Sequence, residues 1–202
     1  MKERGIIFNS EMVRAILDGR KTQTRRIMKP KPKTNENGDI WWPSNICQSM
    51  INIKEMMQDN EGVWAGIAGI SCPHGGVGDH LWVRETFKAG VCTESTIAYK
   101  ATHKPYDLEE GWYEEIKWTP SIHMPRWASR ITLEIVDVRV ERLKDAGDTE
   151  FKAEGYPLDR ELTGGSMDQF CWFRNLWDSV SPTNFKYADN PWVWVIEFRK
   201  VD

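Results

Sequence analysis

The chain has 202 residues, 40% hydrophobic and 28% charged, a balance that supports one sizeable packed core and excludes disordered, collagen-like and coiled-coil classes. Its net charge of -3 argues against bulk non-specific coating of DNA, yet residues 1–33 carry 10 Lys and Arg against 3 acids while the remainder carries 17 against 27. No apolar run approaches the roughly 20 residues of a membrane span and Met1 to Phe8 has no apolar leader, so a cytoplasmic protein without membrane contact is expected.

Gly5 to Phe8 is predicted as a short strand. Asn9 or Ser10 then caps a helix whose Met12, Val13, Ile16 and Leu17 recur at helical spacing, and Gly19 stops it. Arg20 to Arg26 is polar throughout and runs into Lys29-Pro30-Lys31-Pro32, which cannot continue a helix, so this basic stretch is expected to be exposed or to line a site. Residues 31–72 are expected as an insertion within a single domain spanning 1–202, with one hairpin around Val63 to Ile70.

Gly78 to Glu85 looks like a turn entering a strand, with Leu81 and Val83 on one face and Trp82 and Arg84 on the other. Ser95 to Lys100 is predicted as a strand, and Tyr106 to Trp118 as a loop or edge hairpin. Ile131 to Val140 alternates through a long strand whose phase slips at Ile135-Val136, the mark of a bulge. Asp148 to Glu154 is a short helix ended by Gly155. Ser166 to Gln169 has capping-box form and opens a helix with Phe170, Phe173 and Trp177 on one side. Trp192 to Val201 closes the chain as an apolar strand with Val193, Val195 and Phe198 as core candidates. Several strands with few, short helices predict an α+β fold built on a small β-barrel with peripheral short helices.

P-loop, Rossmann, GxSxG and HExxH patterns are all missing, which removes the enzyme classes they mark. The four cysteines form no CxxC pair; Cys47, Cys72 and His74 offer a three-ligand zinc set on spacing alone, against the simpler reading of reduced thiols and a solvated histidine.

Gly19-Arg20-Lys21-Thr22-Gln23-Thr24-Arg25-Arg26 after a capped helix resembles the GxKxxExR signature of the ASCH domain, a PUA-like β-barrel family linked to RNA. Gly78-Asp79-His80-Leu81 resembles that family's GDxL turn, Ala153-Glu154-Gly155 its short helix, and Trp192 to Phe198 its last strand; Ser121 to Trp127 is in the style of phage-borne members. Thr24 stands where the general signature has Glu, giving a Lys-x-x-Thr-x-Arg pattern similar to the ASCH amidohydrolases that remove the acetyl group of N4-acetylcytidine. The resemblance implies catalytic roles for Lys21, Thr24 and Glu154 and calls for no cofactor or metal.

Metal-free amide hydrolysis needs a nucleophile, a group to take its proton and donors for the oxyanion, which Thr24, Lys21 and Glu154 can supply. Such a role requires the lysine to be desolvated; an exposed Lys21 would be a phosphate contact only. Aromatic residues beside arginine suit base stacking, so Trp82, Arg84, Arg126 and Trp127, with Arg25 and Arg26, are the candidate RNA- or nucleoside-binding set. A non-catalytic RNA-binding module, a metal-independent ribonuclease and a protein that meets a host partner through residues 31–72 are the competing expectations, and the oligomeric state is left open.

Overall fold

The computed structural model describes residues 1–57, 66–90, 96–104 and 116–201. β1 (Glu3–Ile7) leads to Asn9, whose side-chain oxygen accepts the Met12 N–H at 2.8 Å and caps α1 (Ser10–Leu17). Gly19, at φ +74°, ends the helix, and the N–H groups of Arg20 and Lys21 both close on the Ala15 carbonyl at 2.9 Å. The chain thereby turns straight into β2 (Gln23–Ile27). The exposed alternative for the basic stretch is overturned: Lys21, Gln23, Thr24 and Arg25 are no more than 5% exposed.

Next come β3 (Lys33–Thr34), β4 (Ile40–Ser44) and β5 (Ser49–Asn52), an antiparallel three-stranded sheet, followed by α2 (Ile53–Met57). Where a hairpin was expected around Val63 to Ile70, Ile67–Ser71 is a helix, α3, which buries Ala68 and Ser71 at i, i+3 spacing; Val63 to Ala65 lie outside the described residues. Trp42, Ile51, Ile53, Met56, Ala68 and Cys72 from this stretch share one core with the strands on either side of it in sequence.

β6 (His80–Arg84), β7 (Phe87–Ala89), β8 (Ile97–Tyr99), β9 (Thr132–Arg142) and β10 (Trp192–Val201) supply the remaining strands. Between β9 and β10 lie α4 (Asp148–Ala153), α5 (Leu158–Thr163) and α6 (Asp168–Val180). Most of the Tyr106 to Trp118 stretch, and Ser95, lie outside the described residues. The capping box expected at Ser166 does not form. Met167 is the N-cap without a side-chain bond, because Asp168 instead accepts hydrogen bonds from Tyr156 Oη and, at 2.6 Å, from Arg160.

The main sheet runs β1-β6-β9-β10-β2, with β1 and β6 parallel and the other pairs antiparallel. Among the described residues, backbone pairing ends at β1 on one edge and β2 on the other. The side chain of Arg26 connects those edges, donating from Nη2 to the Ile7 carbonyl at 2.8 Å. The fold is α+β.

The expected bulge is present: Glu197 pairs with Asp137 and Phe198 with Ile135, which leaves Val136 unpaired and keeps Leu133, Ile135, Val138 and Val140 on one face. That face packs on α1, α2, α3 and Trp42. The opposite face, with Val193 and Val195, packs on Phe151 of α4 and Phe173 and Trp177 of α6. Phe198 therefore belongs to a different layer from Val193 and Val195.

Candidate functional site

β2 enters the sheet beside the end of α4. Lys21 pairs with Glu154 in an isolated antiparallel bridge, and the Thr22 N–H reaches the Ala153 carbonyl at 2.9 Å. This backbone contact carries two charged side chains inward together. Lys21 Nζ donates to Glu154 Oε2 at 2.6 Å and to the Glu154 carbonyl at 3.0 Å, with the lysine side chain fully buried and the glutamate side chain 5% exposed. Gly155, at φ +100°, permits the approach: a Cβ there would meet Ala15 Cβ at 2.9 Å and Lys21 Cβ at 3.1 Å.

Arg25 completes the group. Its Nη1 donates to Glu154 Oε1 at 3.1 Å and its Nη2 to Glu141 Oε2 at 3.3 Å, so Glu154 lies between two cations. The network continues outward through Arg139, which binds Glu141 at 2.5 Å, Gln23 at 3.0 Å and also Glu197. Burial lowers the affinity of Lys21 for its proton, and the neighbouring Arg26 and Arg25 act in the same direction, while Glu154 opposes them; the balance puts Lys21 below the ordinary lysine range.

The register of β2 against β10 separates its side chains. Thr24 aligns with Ile196 and Arg26 with Trp194, on the face of the large core, whereas Arg25 aligns with Val195 on the face covered by α6. Lys21 Nζ and the Arg26 guanidinium both lie over the Phe8 ring, at 5.8 and 5.2 Å from its centroid. Trp194 packs edge-on against Trp42 of β4, with ring centroids 5.3 Å apart. The indole N–H groups of both tryptophans and Nε of Arg26 are buried without a hydrogen-bond partner. Three donors thus lack acceptors on the face that carries Thr24, an arrangement that costs stability.

The candidate base-reading residues gather elsewhere. Trp82 and Arg84 occupy the face of β6 opposite Leu81 and Val83, where Gly5 leaves room for the indole, and the Arg84 guanidinium lies 5.4 Å from the Trp82 ring centroid and donates to the Ile122 carbonyl. Arg84 does not pair with Glu85, which is bound instead by Arg130 at 2.9 and 3.1 Å. Arg126 binds Glu3 at 3.1 Å, and Trp127 is 70% exposed. Because Leu81, Val83 and Ile196 share one core, Trp82 and Arg84 lie across the sheet from Thr24.

Cys47 is exposed and Cys72 buried, and among the described residues no three His, Cys, Asp or Glu side chains converge as a metal set. Burial lifts the Cys72 thiol to about 11 and pushes His74 down to about 4, with Arg26 and Arg4 adding to the latter. His74 is therefore a neutral group within electrostatic reach of Arg26, a relationship sequence spacing did not signal. Nor did it signal Glu141, Trp42 and Trp194, whose alignment depends on strand register. Comparison of the chain with family models, with curated proteins and with solved structures matches none of them.

Proposed function

We propose that the protein is an ASCH-type amidohydrolase of the PUA-like class, acting on N4-acylated cytidine or a related nucleoside amide, alone or within RNA. The observation that carries this reading is the buried Lys21–Glu154 pair at 2.6 Å, beside a strand that presents Thr24. A surface lysine would serve only as a counter-charge; a desolvated lysine with a lowered pKa, hydrogen-bonded to a carboxylate, is equipped to move a proton. The side-chain bridge from Arg26 to Ile7, between the two sheet edges, supports the barrel-like form of that class.

In the proposed reaction the Thr24 hydroxyl adds to the acyl carbon and its proton passes to the Lys21–Glu154 pair. The C–N bond breaks, and the pair returns the proton to the departing amine. Water then hydrolyses the Thr24 ester, releasing the acid and restoring the hydroxyl. Arg25, bound to Glu154 Oε1, orients the carboxylate for this exchange. The unpartnered N–H groups of Trp42, Trp194 and Arg26 are the donors for the acceptor edge of a pyrimidine and for the developing oxyanion.

Incubation of the purified protein with N4-acetylcytidine, followed by chromatography for cytidine and acetate, tests this. A second reading, RNA binding without chemistry, draws on the exposed Trp127 beside Arg126 and on the Trp82–Arg84 stack. It predicts salt-sensitive RNA affinity that Trp127→Ala weakens, with no acid released.

A further inference from the structure

The Lys29-Pro30-Lys31-Pro32 run is the sequence feature that the proposed hydrolytic site leaves unused. It follows β2 directly and lies along a groove of about 130 Å³ whose walls include Met28, Lys31, Arg142, Phe185 and Trp192. Two aromatic rings hold cations there. Lys31 Nζ lies 4.6 Å and Lys29 Nζ 5.8 Å from the Phe185 ring centroid, and the Arg142 guanidinium lies 4.5 Å from that of Trp192. The Asn190 carbonyl fixes Arg142 further, accepting from Nη1 at 2.8 Å.

Among the described residues, no carboxylate lies within 4.0 Å of the Lys29, Lys31 or Arg142 charge. The acid on the groove wall, Asp189, accepts the Lys186 N–H at 2.9 Å and so closes its own turn. The groove is smaller than the roughly 300 Å³ at which whole small-molecule sites begin, so it fits one group of a larger ligand. Cations held on two sides of such a space, with no acid to neutralise them, suit a phosphate.

We propose that this groove binds a backbone phosphate of a single-stranded polynucleotide, and that the chain acts on its modified nucleoside within such a strand. The second clause rests on the hydrolase reading; the first stands without it. Met28 follows Lys21 by seven residues, which at about 3.3 Å per residue puts the groove roughly 20 Å along the strand from the Lys21–Glu154 pair. A free nucleoside carries no phosphate and leaves the groove empty, whereas a strand seated at Thr24 can run along β2 to reach it.

The test is fluorescence anisotropy with a labelled single-stranded oligoribonucleotide over a range of salt, comparing wild type with a Lys31→Gln/Arg142→Gln double variant and with Lys31→Arg. The expected result is an affinity loss of about tenfold or more in the double variant, a salt slope smaller by about 1.4, and near-normal binding by Lys31→Arg. Turnover of free N4-acetylcytidine by the double variant stays at the wild-type rate, which also shows that it is folded. Unchanged oligonucleotide affinity and slope in the double variant would overturn the proposal, as would inorganic phosphate binding as tightly as the oligonucleotide. Binding with the expected salt response but no hydrolysis by wild type upholds the groove and rejects the hydrolase reading.

Discussion

Lys21 and Glu154, 133 residues apart, are joined twice, by a backbone bridge and by a side-chain ion pair at 2.6 Å inside the protein. The two halves of this pair are not energetically equivalent. Removing the carboxylate by Glu154→Ala strands a fully buried ammonium, which costs about 3–5 kcal/mol, whereas Lys21→Met leaves Glu154 bound to Arg25 and places an apolar chain of similar length in an apolar site, close to neutral in stability. Urea denaturation checks the asymmetry, and Lys21→Met is the variant in which lost turnover cannot be blamed on unfolding.

Gly155→Ala is expected to destabilise the protein and to slow catalysis together. A methyl group there would press on Lys21 Cβ at 3.1 Å and occupy a left-handed backbone position, at a cost of about 1–2 kcal/mol before any repacking. Thermal melting and the rate on N4-acetylcytidine are the paired readouts.

His74 makes stability depend on pH. Burial and the adjacent Arg26 and Arg4 hold it down to about 4, while an unfolded histidine titrates near 6.5, so the unfolded chain takes up the extra proton first. The contribution is intact above pH 6.5 and is lost as pH falls from 6.5 to 4, up to about 3 kcal/mol from this group. His74→Leu should flatten that part of the stability curve; an unchanged acid slope would show that His74 is accessible to protons in the folded state.

Cys72, 1% exposed and with its thiol raised to about 11, should resist iodoacetamide at about pH 8 while the exposed Cys47 and Cys171 are alkylated. Peptide mass mapping before and after denaturation reads this directly, and rapid labelling of Cys72 in the native protein would contradict its burial.

Much of the secondary structure was legible because it is written locally. The Asn9 cap, the Gly19 and Gly155 stops, the β6 alternation and the Val136 bulge each depend on residues within a few positions of one another. What failed was decided by tertiary contacts. The run from Lys21 to Arg25 looks solvated by its charge, yet it is buried, because Glu154 and Glu141 arrive from distant elements to pair with it. Ser166 has the form of a cap, but Tyr156 and Arg160 claim the Asp168 that follows. Trp42 belongs to a stretch expected to stand apart, and only the fold shows it against Trp194 with both indole N–H groups unpartnered. The separation of Trp82 and Arg84 from Thr24 across the sheet follows from register, which no short motif encodes.

The most direct measurement is the release of cytidine from N4-acetylcytidine by wild type beside Thr24→Val, which removes the hydroxyl while keeping the side-chain shape. The account predicts cytidine from wild type and a rate lower by at least about 100-fold from a folded Thr24→Val, the order expected when a nucleophile is removed. Folded wild-type protein that leaves the substrate intact, or a Thr24→Val variant that turns it over at the wild-type rate, would contradict it.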